Sequence, residues 1–383
     1  MKIPLSWLQL SHEKVRLFVA IAGITFADVL MFMQLGFRDA LFDSSTKMHK
    51  TLEGDLFMLS SQSDSTAFSS RFSRRRLYGI AGIKGIEYVT PIYIGSADWK
   101  NPELGNTRRI FVYGINPLYS TLKLPGVEQN IEKIKFPDVV LFDRLSRLDF
   151  GPIAQNYQQG KTVVTEVSGR KIRVGGLFSL GTSFGADGNI ITSDINFLRL
   201  FPNRDPGLID MGIIKLEPGV DRDLILKTLQ TKLVDGDVQV FDFDGLIVHE
   251  KKYWQTRTAV GFVFTLGTIM GFIVGIVIVY QILYTDVADH LPEYATLKAM
   301  GYTDLYLLGV VFQEAIILAI IGYLPSVSLT MLLYFGAANA TGLPIAMSAT
   351  KAITVFVLTG VMCAASGAIS VGKLRTADPA DIF

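Results

Sequence analysis

Residue types that carry chemistry are scarce in this sequence. It has one cysteine, Cys363, and four histidines among 383 residues. One thiol cannot form an intrachain disulfide, so cysteine usage does not indicate which side of a membrane any segment faces. A Gly-x-Ser-x-Gly motif is also missing, and these shortages leave no complete nucleophile constellation. We therefore expect no catalytic site in the chain.

The sequence contains parts of motifs for metal binding and nucleotide binding, but none of these motifs is complete. His12 and His249 are each followed by glutamate, as in a zinc-protease helix, yet neither has a second histidine four residues later. Residues 160–162, Gly-Lys-Thr, resemble the end of a Walker A loop, but Gln155 stands where that loop needs glycine. The sequence predicts no metal and no cofactor bound by this chain.

Charge is scarce as well. Charged residues are 19% of the chain against 49% hydrophobic residues, and the net charge is +1. So small a net charge provides no basic field for nucleic acid, which we exclude as a partner. The composition is typical of an integral membrane protein with a soluble part.

Long apolar runs are what the sequence does have: residues 17–37, 258–284, 305–335 and 352–372. Each reaches the roughly 20 residues that a helix needs to cross about 30 Å of hydrocarbon. The third run is too long for one straight span. We expect Pro325 to break or kink it, or its ends to leave the bilayer.

Basic residues flank the first and last apolar runs and indicate the orientation. They are Lys2, Lys14, Arg16, Lys373 and Arg375. The positive-inside rule then places both termini in the cytoplasm. Residues 38–257 and 336–351 would be periplasmic, whereas residues 285–304 and the tail 373–383 would be cytoplasmic. We expect a multi-pass protein of the inner (cytoplasmic) membrane.

Residues 1–16 alternate apolar and polar side chains ahead of the first run. The pattern indicates a cytoplasmic amphipathic helix that lies at the membrane interface, with Pro4 in its first turn and Trp7 at headgroup depth. A frayed lead-in to the first span is the alternative.

The long insert, residues 38–257, has patterns of both helix and strand. Helical patterns over residues 39–58 and 245–255 predict stalk helices that continue from the first span and lead into the second. The other predicted elements are strands over 87–95, 108–113 and 238–243, two strands within 161–178, and a helix over 221–233. The predicted fold is an α-helical membrane protein with four transmembrane helices and a large mixed α/β periplasmic domain inserted between the first and second.

Two carboxylates, Asp28 and Glu314, lie inside apolar runs. A charge is costly in a bilayer, so each should face the bundle interior and be paired or protonated. A proton relay is one interpretation. We favour the other, a hydrogen bond between helices that fixes their packing, because only two such groups exist.

The cytoplasmic loop between the second and third runs has the strongest functional pattern. Leu291, Tyr294, Leu297 and Met300 are spaced for one face of a short helix, and Gly301 follows them. Pro292 is near its start. A short helix parallel to the membrane is suited to docking a partner.

At this loop the sequence resembles the permease subunits of MacB-type ABC exporters with an FtsX domain (type VII), most closely the DevC branch. The family's coupling helix typically reads "ReiGilkAlGa", which is similar to EYATLKAMG at residues 293–301. The resemblance implies that an ATPase contacts Glu293, Tyr294, Leu297, Lys298, Met300 and Gly301. Further similar segments are residues 138–151, 189–201, 213–219, 312–315, 321–322 and 377–381. The segment around Glu314 favours a packing role for that residue.

The sequence also departs from the family. Some relatives carry a fused nucleotide-binding domain, whereas this chain begins 16 residues before its first apolar run, so we expect a separate ATPase. The arginine usual in the coupling segment is absent, and Pro292 and Tyr294 flank Glu293 instead.

The resemblance implies a mechanism, mechanotransmission, in which ATP-driven dimerisation of the ATPase moves the coupling helices and thereby the periplasmic domains. The implied partners are a DevA-like ABC ATPase homodimer holding ATP-Mg, a DevB-like membrane-fusion adaptor, a TolC-like outer-membrane duct, a second copy of this chain and membrane lipid. The DevC branch suggests glycolipid cargo. Alternatives are a lipoprotein-releasing permease, an FtsX-like activator of cell-wall hydrolases and, more remotely, a membrane-embedded protease.

Overall fold

A computed structural model describes residues 12–66, 69–233 and 236–370. The chain divides into two compact units. The first, which we call the helical unit, comprises Met1–Ala40 and Ala259–Phe383, and the second, the inserted domain, comprises Leu41–Thr258. Most of the predicted amphipathic helix at residues 1–16 and the whole tail 373–383 lie outside the described residues.

Ten α-helices occur in the described part of the chain. They are α1 (Lys14–Ser45), α2 (Arg74–Tyr78), α3 (Ile153–Gln158), α4 (Asp194–Leu200), α5 (Arg222–Lys232), α6 (Phe243–Thr256), α7 (Ala259–Asp289), α8 (Leu291–Ala299), α9 (Asp304–Thr341) and α10 (Ala349–Ser370). Three short 3-10 helices cover His49–Thr51, Glu128–Lys135 and Leu148–Phe150.

Four of these helices, α1, α7, α9 and α10, are long and apolar enough to cross a membrane. This confirms the predicted number of membrane-capable helices. Of the three alternatives for the third run, a break at Pro325 is wrong, because α9 continues through it. A kink at Pro325, or helix ends outside the bilayer, stays a prediction. Proline removes one backbone hydrogen bond, a loss that neighbouring helices and hydroxyl side chains offset in membrane helices.

The inserted domain is mixed α/β, as predicted. Its strands are β1 (Leu56–Ser60), β2 (Phe72–Ser73), β3 (Ile86–Lys100), β4 (Thr107–Ile115), β5 (Val139–Asp143), β6 (Val164–Val167), β7 (Arg170–Phe178), β8 (Asn189–Ser193), β9 (Leu208–Ile209), β10 (Met211–Leu216) and β11 (Val238–Asp242). Nine form one sheet in the order β11-β1-β10-β3-β4-β8-β5-β7-β6, and β2 pairs with β9. The β4–β8 and β5–β7 pairs are parallel, whereas the other pairs are antiparallel.

Both faces of this sheet are buried. Alternate residues of β1 enter two different cores: Leu56 and Met58 pack in one, and Phe57 and Leu59 pack in the other. Successive side chains of a strand point to opposite faces, so a strand covered on both sides has a continuous apolar sequence. This is why residues 56–60 have no alternating pattern.

The first predicted stalk helix is shorter than expected, whereas the second, predicted over residues 245–255, is present as α6 (Phe243–Thr256). The helical pattern over residues 39–58 is wrong beyond Ser45, because α1 ends there and residues 56–60 form β1. Tertiary pairing of β1 with β10 and β11 overrides the local helical pattern. At the other end, α6 stops at Thr256 and α7 starts at Ala259, so the helix into the second span is interrupted.

A buried polar network lies in the inserted domain between the end of α1 and α6. The imidazole Nε2 of His49 lies 2.7 Å from the hydroxyl of Thr66, and one carboxylate oxygen of Glu250 accepts from the Thr66 backbone N–H at 2.9 Å. The indole of Trp254 donates to the other carboxylate oxygen at 3.0 Å. Burial lowers the pKa of His49 from its usual 6.5, although the negative charge of Glu250 opposes the shift.

The inserted domain should become less stable as the pH falls below 6.5, the ordinary pKa of His49. The unfolded chain binds a proton there before the folded chain does, so about 1.4 kcal/mol of stability is lost per pH unit until the folded pKa is reached. Urea unfolding followed by the fluorescence of buried Trp99 measures this. His49→Gln should flatten the pH dependence in this range, and an unchanged slope in that variant would contradict the assignment.

Candidate functional site

The short helix α8 connects two membrane-capable helices, α7 and α9, and we call it the connector helix. Proline in its first turn and acidic Glu293 there suit a helix start, and basic Lys298 in the last turn suits a helix end. Gly301 has a φ of +93°, a conformation that side-chain-bearing residues rarely adopt. The predicted short helix is therefore present, with the expected start and end.

One face of the connector helix packs inward. The side chain of Tyr294 is only 1% exposed and packs with Val287 of α7 and Val311 of α9. Leu297 and Leu308 are partly buried against the same cluster. The connector helix thus packs against both helices that it joins.

The opposite surface is exposed, and it includes part of the predicted docking set. Glu293 and Gly301 are exposed, and Met300 is 63% exposed. Next to them, Tyr302 and Tyr306 are exposed and their ring centroids lie 4.7 Å apart. The residues predicted for docking therefore divide between two roles: Tyr294 and Leu297 anchor the helix, whereas Glu293, Met300 and Gly301 are available to a partner. Lys298 is half-buried.

An ionic cluster lies at the start of the connector helix. The guanidinium of Arg16 in α1 lies 2.5 Å from a carboxylate oxygen of Asp289 and 3.8 Å from one of Asp286. The imidazole Nδ1 of His290 lies 3.7 Å from the same Asp286 carboxylate oxygen. These contacts tie α1 to the end of α7. From the sequence, Arg16 was interpreted only as an indicator of orientation, so this structural role was missed.

Glu314 in α9 is fully buried and interacts with the buried carboxyl of Asp286. Two neighbouring buried carboxyl groups are costly unless positive charge or hydrogen bonds compensate them. The guanidinium of Arg16 supplies positive charge near Asp286. The packing role of Glu314 stays a prediction, and its surroundings place it behind the connector helix.

Asp28 in α1 is also fully buried, and hydroxyl groups bind both of its oxygens. Thr359 of α10 donates to one carboxylate oxygen at 2.7 Å, and Ser326 of α9 donates to the other at 3.3 Å. The aspartate thus joins three helices by hydrogen bonds. This geometry agrees with a helix-packing role, because Thr359 and Ser326 bind the carboxylate through hydroxyl groups rather than as members of a titratable chain.

Glycines set the spacing between α1 and α7, a feature that the sequence analysis missed. Gly267, Gly271 and Gly275 recur every four residues on one face of α7. A Cβ atom on Gly275 would lie 1.9 Å from the Met362 sulfur and 3.1 Å from the Ala27 Cβ. Small residues at this spacing let membrane helices approach closely, and the repeat could have been recognised from sequence.

The connector helix and its neighbours coincide with a known family segment. Residues 261–379 match the FtsX-like permease C-terminal family. This FtsX-like segment contains most of α7, all of the connector helix, α9 and α10. The anchored connector therefore lies within the segment that matches this family.

Two of the solved structures similar to the chain are a periplasmic region and an extracellular domain. The periplasmic region of MacB from Actinobacillus actinomycetemcomitans is 16% identical with a TM-score of 0.38, and the match covers 54% of this chain and 95% of that region. The extracellular domain of the noncanonic ABC-type transporter YknZ from Gram-positive bacteria is 17% identical with a TM-score of 0.35. That match covers 49% of this chain and 99% of the YknZ domain. No curated protein matches the chain.

Proposed function

We propose that the chain is the permease subunit of a tripartite ABC exporter in the inner membrane and transmits motion from a separate ATPase to the inserted domain. The observation that carries the proposal is the connector helix inside the FtsX-like segment. Its inner face is locked by Tyr294, whereas Met300 is exposed at its end. A helix that is exposed on one side and anchored on the other is suited to transmit a displacement from a bound partner to the neighbouring helices.

The bundle geometry supports transmission rather than a wide conduit. Asp28 joins α1, α9 and α10, and Gly275 brings α7 against Ala27 of α1. Closely packed helices move as a body because interiors are dense and transmit strain. Four helices tied in this way leave little room for a cargo path between them.

The partners in the proposal follow from this role. A DevA-like ATPase homodimer holding ATP-Mg has two docking surfaces and would engage two copies of this chain. A DevB-like adaptor and a TolC-like duct would continue the path beyond the periplasm, with glycolipid as the cargo. The docking surface for the ATPase is the exposed part of the connector: Glu293, Met300 and Gly301, joined by the neighbouring Tyr302.

Affinity purification of the tagged chain in mild detergent tests the proposal, with the associated proteins identified by mass spectrometry. Recovery of a P-loop ATPase with an adaptor and a TolC-like protein is the expected result. An ATPase recovered with a cell-wall hydrolase would replace export by the FtsX-like signalling function. An ATPase recovered with a soluble lipoprotein chaperone would favour lipoprotein release. The absence of any ATPase would overturn the proposal.

A further inference from the structure

The inserted domain contains a pocket of about 720 Å³, including its open side, which none of the motifs in the sequence indicated. It lies between the end of α1, the central strands β3 and β4, and α6. Most of the lining is apolar, with half-buried side chains alongside buried ones: Met48, Leu52, Ile92, Ile94, Phe111, Leu180, Met211 and Trp254. Protein interiors are close-packed, so a mainly apolar hollow that opens to solvent is a candidate ligand site.

The acidic group in the pocket wall is already engaged by the protein. Glu250 is 1% exposed, and its carboxylate accepts hydrogen bonds from the backbone and hydroxyl of Thr66 and from the indole of Trp254. These three hydrogen bonds occupy most of the four lone-pair sites of the Glu250 carboxylate. Glu250 therefore builds the wall and has little capacity left for a cationic ligand.

The basic residue in the pocket lining, Lys47, differs from Glu250 because it is not paired with an opposite charge in the described part of the chain. Among the described residues, Lys47 has no carboxylate within ion-pair distance. Its ammonium lies close to Gly181, since a Cβ atom on that glycine would be 2.6 Å from the Lys47 Nζ. Gly181 has a φ of +91°, so glycine is favoured there on conformational grounds as well. The positively charged Lys47 ammonium therefore lies next to the apolar pocket.

Tyr113 adds a hydrogen-bond donor to the same lining. Burial raises the pKa of its phenol, and the negative charges of Glu250 and Asp143 raise it further. The hydroxyl is therefore protonated at neutral pH and can donate to an anionic group. Lys47 and Tyr113 are the groups with which the pocket can recognise a negative charge.

We propose that this pocket binds a single-chain amphiphile with an anionic head group, such as a long-chain fatty acid. The apolar walls would cover the acyl chain, and Lys47 would pair with the head group. An acyl chain gains roughly 0.8 kcal/mol for each methylene group that it buries. The site is independent of the permease function proposed above, because every residue that lines it belongs to the inserted domain.

Photocrosslinking of the full-length chain in lipid nanodiscs tests the proposal. The probe is a hexadecanoic acid that carries a diazirine on its chain, and adducts are mapped by mass spectrometry. We expect saturable adducts on the pocket residues Leu52 and Phe111. Adducts on the membrane-capable helices, which contact lipid in any case, serve as the internal standard. Pocket adducts no more frequent than those on the exposed surface of the inserted domain would overturn the proposal.

Two variants separate the head group from the chain. Lys47→Met should lower pocket labelling about tenfold at low probe concentration, whereas the matched variant Lys84→Met, at an exposed position outside the pocket, should leave it unchanged. A diazirine alcohol of the same chain length should be insensitive to Lys47→Met. Equal labelling by the acid in wild type and Lys47→Met would overturn the anionic head group.

A third variant fills the hollow. Ala186 is a half-buried residue of the lining, and it lies in a turn outside the sheet. Ala186→Trp should therefore abolish labelling by both probes while the unfolding transition followed by Trp99 stays in place. Undiminished pocket labelling in a folded Ala186→Trp protein would contradict binding at this site.

Discussion

Replacing Met300 by aspartate is expected to reduce recovery of the ATPase with the tagged chain at least tenfold. Met300 is exposed at the end of the connector helix, so the substitution adds a charge to the docking surface without cutting into the bundle. A desolvated, unpaired charge in an interface costs several kcal/mol, and 1.4 kcal/mol already corresponds to a factor of ten. Quantitative mass spectrometry of the copurified ATPase measures the effect.

A matched control lies in the inserted domain. Leu148 is an apolar residue that is 87% exposed, and Leu148→Asp introduces the same charge away from the connector helix. It should leave ATPase recovery unchanged. Normal ATPase recovery with Met300→Asp would rule out this surface as the docking site.

Leu297 is a poorer test of the same surface, although sequence spacing placed it beside Met300. It packs partly against Val287, Tyr294 and Val311. A charge at Leu297 would disturb the attachment of the connector helix, so lost docking and lost anchoring could not be told apart. The structure therefore selects Met300 for the experiment.

Gly275→Ile is expected to lower the stability of the helical unit by about 3 kcal/mol, the upper part of the usual range for overpacking. The new side chain would collide with Met362 and Ala27, which lie within 3.1 Å of the position of its Cβ atom. A loss of this size corresponds to roughly 6–12 °C in the unfolding midpoint of a domain of 150–250 residues.

The only cysteine of the chain can report the unfolding of the helical unit. Cys363 is buried in the same core as Met362, so a thiol-reactive dye will label it only when the bundle opens. Gly360→Ile is the matched control, because a Cβ atom on Gly360 meets no atom within 4 Å. A midpoint for Gly275→Ile within 2 °C of the control, about 1 kcal/mol or less, would contradict the close-packing account.

Sequence patterns predicted the helices of the helical unit well, because a membrane span is defined by a long local apolar run. Pro325 was the exception. A proline in a run is a break signal in water, but α9 continues through Pro325, since membrane helices tolerate the loss of one backbone hydrogen bond.

The inserted domain was predicted less completely for a physical reason. Strands β3, β4, β6 and β7 were anticipated from their Val, Ile and Tyr content and turn residues, and β11 was predicted over residues 238–243. By contrast, β1 is buried on both faces, so its sequence does not alternate, and its partners lie more than a hundred residues away along the chain. Periodicity alone cannot detect such a strand.

The candidate site was predicted in its position but not in its division of roles. Spacing put Tyr294 and Met300 on one helical face, and it could not show that Tyr294 is anchored while Met300 is free. That distinction depends on Val287 and Val311 of neighbouring helices. The ionic partners of Arg16 likewise became visible only when α1 and α7 were placed side by side.

The strand order has a consequence for biogenesis. Strand β1 is made early, yet both of its neighbours, β10 and β11, are the last strands of the inserted domain to be synthesised. Until residues 211–242 emerge, β1 has two open edges and an apolar surface, which makes the nascent chain prone to aggregation. Completion of the sheet must therefore wait until almost the whole domain has been delivered, with only α6 left to be made before α7 begins.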